Sequence, residues 1–327
     1  MRLGAVRWGF YTEWKIMPPA NRLNPVRAAS SQSLYSLHEF LAEFPDDEAC
    51  LEYLWRERHS EDGENAHCPK CDQTRRFKRY ATKQRRQSWT CTGCGHHIHP
   101  TAGTIFAKSS RPLTDWFYVM YLVSSSRCGV AAKQVERELG VNYKTAWRML
   151  NRVRNELMQQ NGEQLSGEVE ADETYYGAKR KRGTPRGRPG PESHKTPVMG
   201  IVQRKGRIVA SVIPDVSATT LRGTIKKFVL PGTMVYTDEF IQYRKLDQEG
   251  FFHRRVYHRQ GVYVSGAVHT NTIEGFFGHF KTDVRGTHHS ISRRWLDSYL
   301  NEWVWKWNHR NDDEAMFRQL LESAASQ

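Results

Sequence analysis

Apolar residues recur along this chain in two rhythms, and the change between them divides it. Up to residue 157 the spacing is mostly helical. Leu37, Phe40, Leu41 and Phe44 form a short stripe that Pro45 ends. Cys50, Leu51, Leu54 and Trp55 form a second over Asp46–His59, with Asp46, Asp47 and Glu48 near its positive N-terminus. Leu113–Val123 reads as a buried helix, Val130–Leu139 as another stopped at Gly140-Val141-Asn142, and Tyr143–Leu157 as a third. In the third, Ala146, Met149, Leu150, Val153 and Leu157 share one face. Lys144, Arg148, Asn151, Arg152 and Asn155 project opposite.

After Asn161-Gly162 the texture changes to short strands. Gly167–Tyr176 carries acids on alternate residues, and Val198–Gln203 and Arg207–Ile213 are joined by a turn at Lys205-Gly206. Ala218–Phe228 is helical, the apolar strand Thr233–Thr237 runs directly into Asp238, and Phe251–Val256 is one more strand. The helical rhythm then returns in Val268–Lys281. At about 100° per residue, Ile273, Phe276, Phe277, Phe280 and Val284 make one apolar stripe. Glu274 and Lys281 lie over each other at its edge, with Asn271 one turn earlier on the same side. A last helix, Arg293–Arg310, stacks Trp295, Tyr299, Trp303 and Trp307 at every fourth residue, and Leu296, Leu300 and Val304 extend that stripe, so it is expected to pack in a core or dimer interface.

A chain of 327 residues with 38% hydrophobic and 12% aromatic content can bury a substantial core. Its net charge of +14 and pI near 9.6 point to a polyanionic partner, most simply nucleic acid. No apolar run is long enough to span a bilayer, and Met1–Phe10 lacks the pattern of a secretory signal, so a cytoplasmic, nucleoid-associated protein is expected. Residues 1–34, with Pro18, Pro19, Pro25 and a Ser-rich run, read as a poorly ordered extension, and Met17 is an alternative start.

Four of the six cysteines form two Cys-x-x-Cys pairs, Cys68/Cys71 and Cys91/Cys94, nineteen residues apart. Each pair can place two thiolates on one tetrahedral Zn²⁺ while the gap folds as a hairpin, the spacing of a zinc ribbon; a redox or iron–sulfur site is the alternative. His67, His96, His97 and His99 crowd the site, but four cysteines complete the shell. Cys50 and Cys128 stand alone in helix-like surroundings and are expected to be small buried hydrophobes. Basic residues fill the gap, from Arg75 and Arg76 to Arg85 and Arg86. With the helix–short turn–basic helix of residues 130–157, they suggest DNA binding, in which Lys144, Arg148, Asn151 and Arg152 would enter the major groove. Lys179–Lys195, rich in Arg, Lys, Pro and Gly, is a loop that either grips phosphates or is a solvated insertion.

Three strands, a helix, a strand ending in an acid, another strand and an acid-bearing helix are the element order of an α/β RNase H-like domain. Within it Asp172, Asp238 and Glu274 are acids on the expected elements, with thirty-five residues between the last two. The sequence here resembles a DDE transposase of a bacterial insertion sequence. It is most similar to the group that joins an N-terminal Cys₄ zinc ribbon and helix-turn-helix to the catalytic domain, related to the Merlin-type elements of eukaryotes. The resembling stretches include Phe44-Pro-Asp-Asp47, both cysteine pairs, His99-Pro-Thr-Ala-Gly-Thr-Ile-Phe106 and Leu139-Gly-Val-Asn-Tyr-Lys-Thr-Ala-Trp-Arg148. In the catalytic part they are Val169-Glu-Ala-Asp-Glu-Thr-Tyr-Tyr-Gly177, Tyr236-Thr-Asp-Glu239, His269-Thr-Asn-Thr-Ile-Glu-Gly-Phe-Phe277 and Arg285-Gly-Thr-His-His-Ser-Ile-Ser292.

The resemblance implies Asp172 and Asp238 as Mg²⁺ (or Mn²⁺) ligands and Lys281 as a cation contacting DNA. The third metal residue is Glu274, whose charge and offset from Lys281 suit the general pattern, or Asn271, since some members carry asparagine there. Glu170 and Glu173 are the alternatives to Asp172. The implied activity is cleavage and strand transfer at terminal inverted repeats, on double-stranded DNA and as a homodimer or larger assembly. Two other readings are a zinc-dependent DNA-binding regulator with an inactive catalytic domain and a structure-selective RNase H-like nuclease. The expected division is an extension (1–34), a short helical segment (35–64), zinc ribbon (65–100), helix-turn-helix domain (101–162), catalytic domain (163–290) and C-terminal helix (291–327).

Overall fold

The computed structural model describes residues 34–80, 87–160, 162, 164–177, 195–256 and 269–327. The extension 1–34 (save Leu34) and the basic loop 179–195 (save Lys195) therefore lie outside the described residues.

The first two helices begin where polar side chains satisfy their free amides. Ser36 and Glu39 form a reciprocal capping box on α1 (Leu37–Glu43), and Asp46 caps α2 (Asp47–His59). A small antiparallel sheet follows in the order β1 (Asn65–Cys68), β2 (Gln73–Tyr80), β3 (Ser88–Cys91) and β4 (His97–Ile98). Trp89 of β3 stacks on Trp55 of α2 at 4.8 Å, which fastens this sheet to the helices. Next come α3 (Leu113–Ser125), α4 (Ala132–Leu139) and α5 (Tyr143–Arg152). Gly140, in the left-handed region at φ 61°, ends α4, and Asn142 starts α5 by accepting from the Thr145 amide at 2.8 Å. The turn between α4 and α5 is thus set locally by the residues that sequence reading singles out.

The second core surrounds a five-stranded sheet. Its strands are β5 (Glu168–Tyr176), β6 (Thr196–Gln203), β7 (Ile208–Val212), β8 (Met234–Thr237) and β9 (Phe252–Arg255), in the order β7-β6-β5-β8-β9. The first three pair antiparallel, whereas β8 joins β5 and β9 joins β8 in parallel. That is the strand arrangement of an RNase H-like domain. Alternation divides the two faces. Val169, Ala171, Met199, Ile201 and Val209 pack with Leu221 and Ile225 of α6 (Ala218–Phe228). Val198, Val202, Ile208 and Ala210 pack with α7 (Asn271–Asp283) and α8 (Leu296–Asn308). The outer edge of β7 is sealed by side chains: Ile208, Ala210 and Val212 donate their amides to Asn308, Gln160 and Asp297 at 2.8, 3.1 and 2.9 Å.

Two expectations need correction. The segment after residue 291 is not one helix: past α8, whose Tyr299, Trp303 and Trp307 rest partly buried on the second core with Trp295 just before them, lies α9 (Met316–Ala325). Phe317, Leu320, Leu321 and Ala324 of α9 are buried in the first core, beside α2 and α3, because the polar stretch 309–315 is long enough to carry the chain back. Cys128 is not a buried hydrophobe; it is exposed, in the loop between α3 and α4, whereas Cys50 is fully buried as expected. No helix among the described residues is long and apolar enough to cross a membrane.

Candidate active site and metal centre

Strand β5 supplies the floor of the acidic site. Its even-numbered side chains face α7: Glu170 meets the start of that helix, Thr174 meets Lys281, and the Tyr176 ring meets Phe280 at 6.1 Å. Asp172 lies between them on the same face, opposite Gly200 of β6. The parallel register pairs Glu170 with Tyr236, so two residues further on Asp172 comes alongside Asp238, just past β8. Asp238 is oriented by its own turn, accepting from the Phe240 amide at 2.9 Å. Glu274, in the first turn of α7, accepts from the Thr270 hydroxyl at 2.7 Å.

Asp172 senses the acids around it. Burial, followed by the charges of Glu173, Asp238 and Glu274, pushes the Asp172 carboxyl well above the usual carboxylate range. Cations ease such a crowding of carboxylates, and oxygen-only donors suit hard ions such as Mg²⁺ or Mn²⁺. Lys281 donates to Thr174 Oγ1; burial lowers its pKa, against the opposing effect of Asp172. Both alternatives to Asp172 are occupied otherwise. Glu173 points to the other face and accepts from the Tyr243 hydroxyl at 2.7 Å. Glu170 is completely buried rather than exposed, taking the Thr272 and Ile273 amides at 2.8 and 3.2 Å and Arg204 Nε at 3.0 Å. His269 Nδ1 lies 3.1 Å from the same carboxylate. Glu170 thus anchors the start of α7, the helix that bears Glu274. Asn271 is exposed at the first position of that helix.

Sequence reading passed over two contributors. Gly200 lets α7 lie close: a Cβ there would stand 2.6 Å from Ile273 and 2.7 Å from Phe277. A glycine inside the apolar run Pro197–Val202 was the available signal. Arg204 was the other, bridging Glu168, Glu170 and the His269 carbonyl while lying over the Tyr236 ring at 4.0 Å. Nothing in its local sequence reveals that role.

The cysteines form a second centre. Cys68 and Cys94 sulfurs are 3.6 Å apart, those of Cys71 and Cys91 3.9 Å, and all four lie within 4.8 Å of one another. A tetrahedral ion with ~2.3 Å bonds to sulfur holds its ligands about 3.8 Å apart, so the set fits Zn²⁺. Among the described residues no histidine joins this group; His97 Nδ1 pairs with the Thr90 hydroxyl at 2.9 Å. On α5, Lys144 and Arg148 are exposed and Asn151 is half-buried. Arg152 departs from the expected groove-facing role: it turns inward to the Ile105 carbonyl at 2.6 Å and to Glu156 at 2.6 Å, because the Ile105 segment packs against that side of the helix.

Comparison with known proteins reaches beyond the acidic site. A family model described as an ISXO2-like transposase domain matches residues 164–308. An uncharacterized protein in transposable element ISH50 of Halobacterium salinarum is 32% identical over 247 residues, 71% of this chain and 78% of that protein. An uncharacterized transposase-like protein of Haemophilus influenzae is 30% identical over 105 residues, 32% of this chain and 84% of that protein. Among solved structures, the Mos1 strand transfer complex and a pre-cleavage Mos1 transpososome each share 12% identity over 64% of this chain, with TM-scores of 0.26 and 0.25 over 76% and 78% of theirs. From the matched domain and the relative covered over 78% of its length, the chain belongs to the ISXO2-like transposase family, DNA transposases of insertion sequences.

Proposed function

We propose that this transposase binds the terminal inverted repeats of its insertion sequence, cleaves strands there and joins the freed ends to target DNA, using Asp172, Asp238 and Glu274 as its metal-binding acids. The observation that carries the reading is the convergence of these three, from β5, the end of β8 and α7, such that each of the others raises the Asp172 pKa. Two hard cations held by them would supply activation of the attacking water or 3′-OH and stabilisation of the departing oxygen. Asp172 on β5 and Asp238 just past the neighbouring β8 form one wall of the site. Glu274 closes it from the helix, which supports glutamate over Asn271 as the third ligand. Lys281, near Asp172 and held by Thr174, contributes a cation for the phosphodiester backbone.

The front half is read as the part that selects DNA, through a zinc-stapled ribbon and a helix-turn-helix in which α5 enters the major groove. Exposed Lys144 and Arg148 are the residues expected to contact DNA, with Asn151 beside them. Several copies of the chain would assemble on paired ends. The deciding experiment offers the protein duplex DNA carrying the ends of its element, with Mg²⁺. The wild type is expected to nick at the element boundary and Asp238→Ala to bind without nicking. Undiminished cleavage by Asp238→Ala would overturn the assignment.

A further inference from the structure

A second group of deeply buried charges lies away from both candidate metal centres. Arg154 lies in the π-helical turn Val153–Leu157 that follows α5 and is 1% exposed. Its Nε donates to Glu302 Oε2 of α8 at 2.6 Å, and a terminal nitrogen donates to the Val130 carbonyl just before α4 at 3.2 Å. Glu302, also 1% exposed, receives Lys306 Nζ on its other oxygen at 2.7 Å. The Arg154 guanidinium lies over the Tyr299 ring at 4.1 Å. That ring in turn meets His288, which ends the π-helical turn Val284–His288 following α7, at 4.8 Å.

The same junction is closed from the front half of the chain. Thr287 donates its hydroxyl to the Cys128 carbonyl at 2.9 Å. Gly129, at φ +77°, is pressed between the two halves: a Cβ there would stand 3.2 Å from His288 Nε2 and 3.3 Å from Glu302 Oε1. One set of contacts therefore joins the entry of α4 and the exit of α5 to the exit of α7. Stability is a poor reason for such a triad. Removing three charges from water is costly, and apolar side chains of similar volume commonly serve folding as well or better. What apolar packing lacks is direction. Hydrogen-bonded charges fix an angle, whereas packed methyl groups permit sliding.

We infer that Arg154, Glu302 and Lys306 are positioning residues that lock the α4–α5 pair at one angle to α7, so that DNA engaged by α5 meets the three acids in a single register. The inference rests on the reading of α5 and the acids proposed above. The test uses the full chain with Arg154→Met, Glu302→Leu and Lys306→Met combined, and the same element-end duplex with Mg²⁺. The expected result is an unchanged or raised Tm and unchanged binding. Nicking should slow roughly 10- to 100-fold, with cuts scattered over neighbouring phosphates instead of one. The scatter is the readout that a merely structural role would not produce.

Should the triple variant fail to fold, Arg154→Lys keeps the charge but loses the planar fork, and the same scatter is expected from it. Cuts at the wild-type phosphate and rate, in whichever of these variants folds, overturn the inference. Wild-type protein that does not nick this DNA overturns the function proposed above instead, so the two failures are distinct.

Discussion

The two candidate metal centres of this protein gather like-charged side chains in opposite ways. Cys68, Cys71, Cys91 and Cys94 come from one small sheet, two on each of two tight turns, and their sulfurs already stand within 4.8 Å of one another. Among the described residues no other group of metal-ligating side chains is gathered so tightly. The acids come from three elements spread between residues 172 and 274, and they stand wider; burial first, then the charges of Glu173, Asp238 and Glu274, raise the pKa of Asp172. A closed thiolate shell is made to hold one ion permanently. An open carboxylate site leaves room for cations about 3.5–4 Å apart and for a substrate phosphate. The difference teaches where each centre draws its geometry: the cysteine site from two local turns, the acidic site from the long-range packing of three elements.

The largest effect should follow chelation of the cysteine-bound ion. Elemental analysis is expected to find one zinc per chain, and its removal should unfold β1–β4 with a loss on the order of 10 kcal/mol, read as collapse of the Trp55–Trp89 fluorescence environment. A metal-free protein that keeps this sheet would break the contrast. Next, Asp172→Asn should reduce nicking by more than about 10³-fold while zinc content stays the same. Full activity in that variant would remove the acid site from the chemistry.

Smaller changes probe the frame around the acids. Glu170→Gln removes the buried charge from under Arg204, which keeps only the half-exposed Glu168 as an anionic partner, at a cost of about 1–3 kcal/mol. It should weaken nicking by loosening the start of α7, and a higher Mg²⁺ requirement with normal zinc content would mark it as positioning. Gly200→Ala forces a methyl into Ile273 and Phe277, destabilising by about 1–3 kcal/mol; activity and thermal denaturation should both register it, whereas the cysteine sheet should not.

The mildest prediction concerns pH. His59, beside Trp55 on α2, and His288, beyond α7, are each held down to about 4 by burial, then by Arg58 and Arg154 respectively. The unfolded chain takes up those protons near 6.5, so it binds more protons than the native state in between. Stability should therefore fall as pH drops from about 6.5 to about 4. His59→Phe should flatten this loss in the half holding the cysteines and His288→Phe in the half holding the acids, as followed by Tm against pH. An unaltered slope in both variants would show that neither imidazole carries the effect.

Sequence alone determined what depends on short range. Two residues between cysteines suffice for a tight turn, so the cysteine centre was legible without any long contact. Strand and helix periods placed β5, β8 and α7, and with them Asp172, Asp238 and Glu274, within a few residues of their observed bounds. Gly140 and Asn142 marked the turn into α5. The tertiary structure alone decided the rest, because it depends on which distant surfaces meet. Register and close packing turned Glu170 from a candidate ligand into the anchor of α7, and made Gly200 the residue that admits that helix. A neighbouring segment drew Arg152 inward from the face where its helical position put it. The return of α9 into the first core, and the enclosure of Arg154 with Glu302, have no local signature. A helix records in its own residues which face is apolar, but not what will cover it.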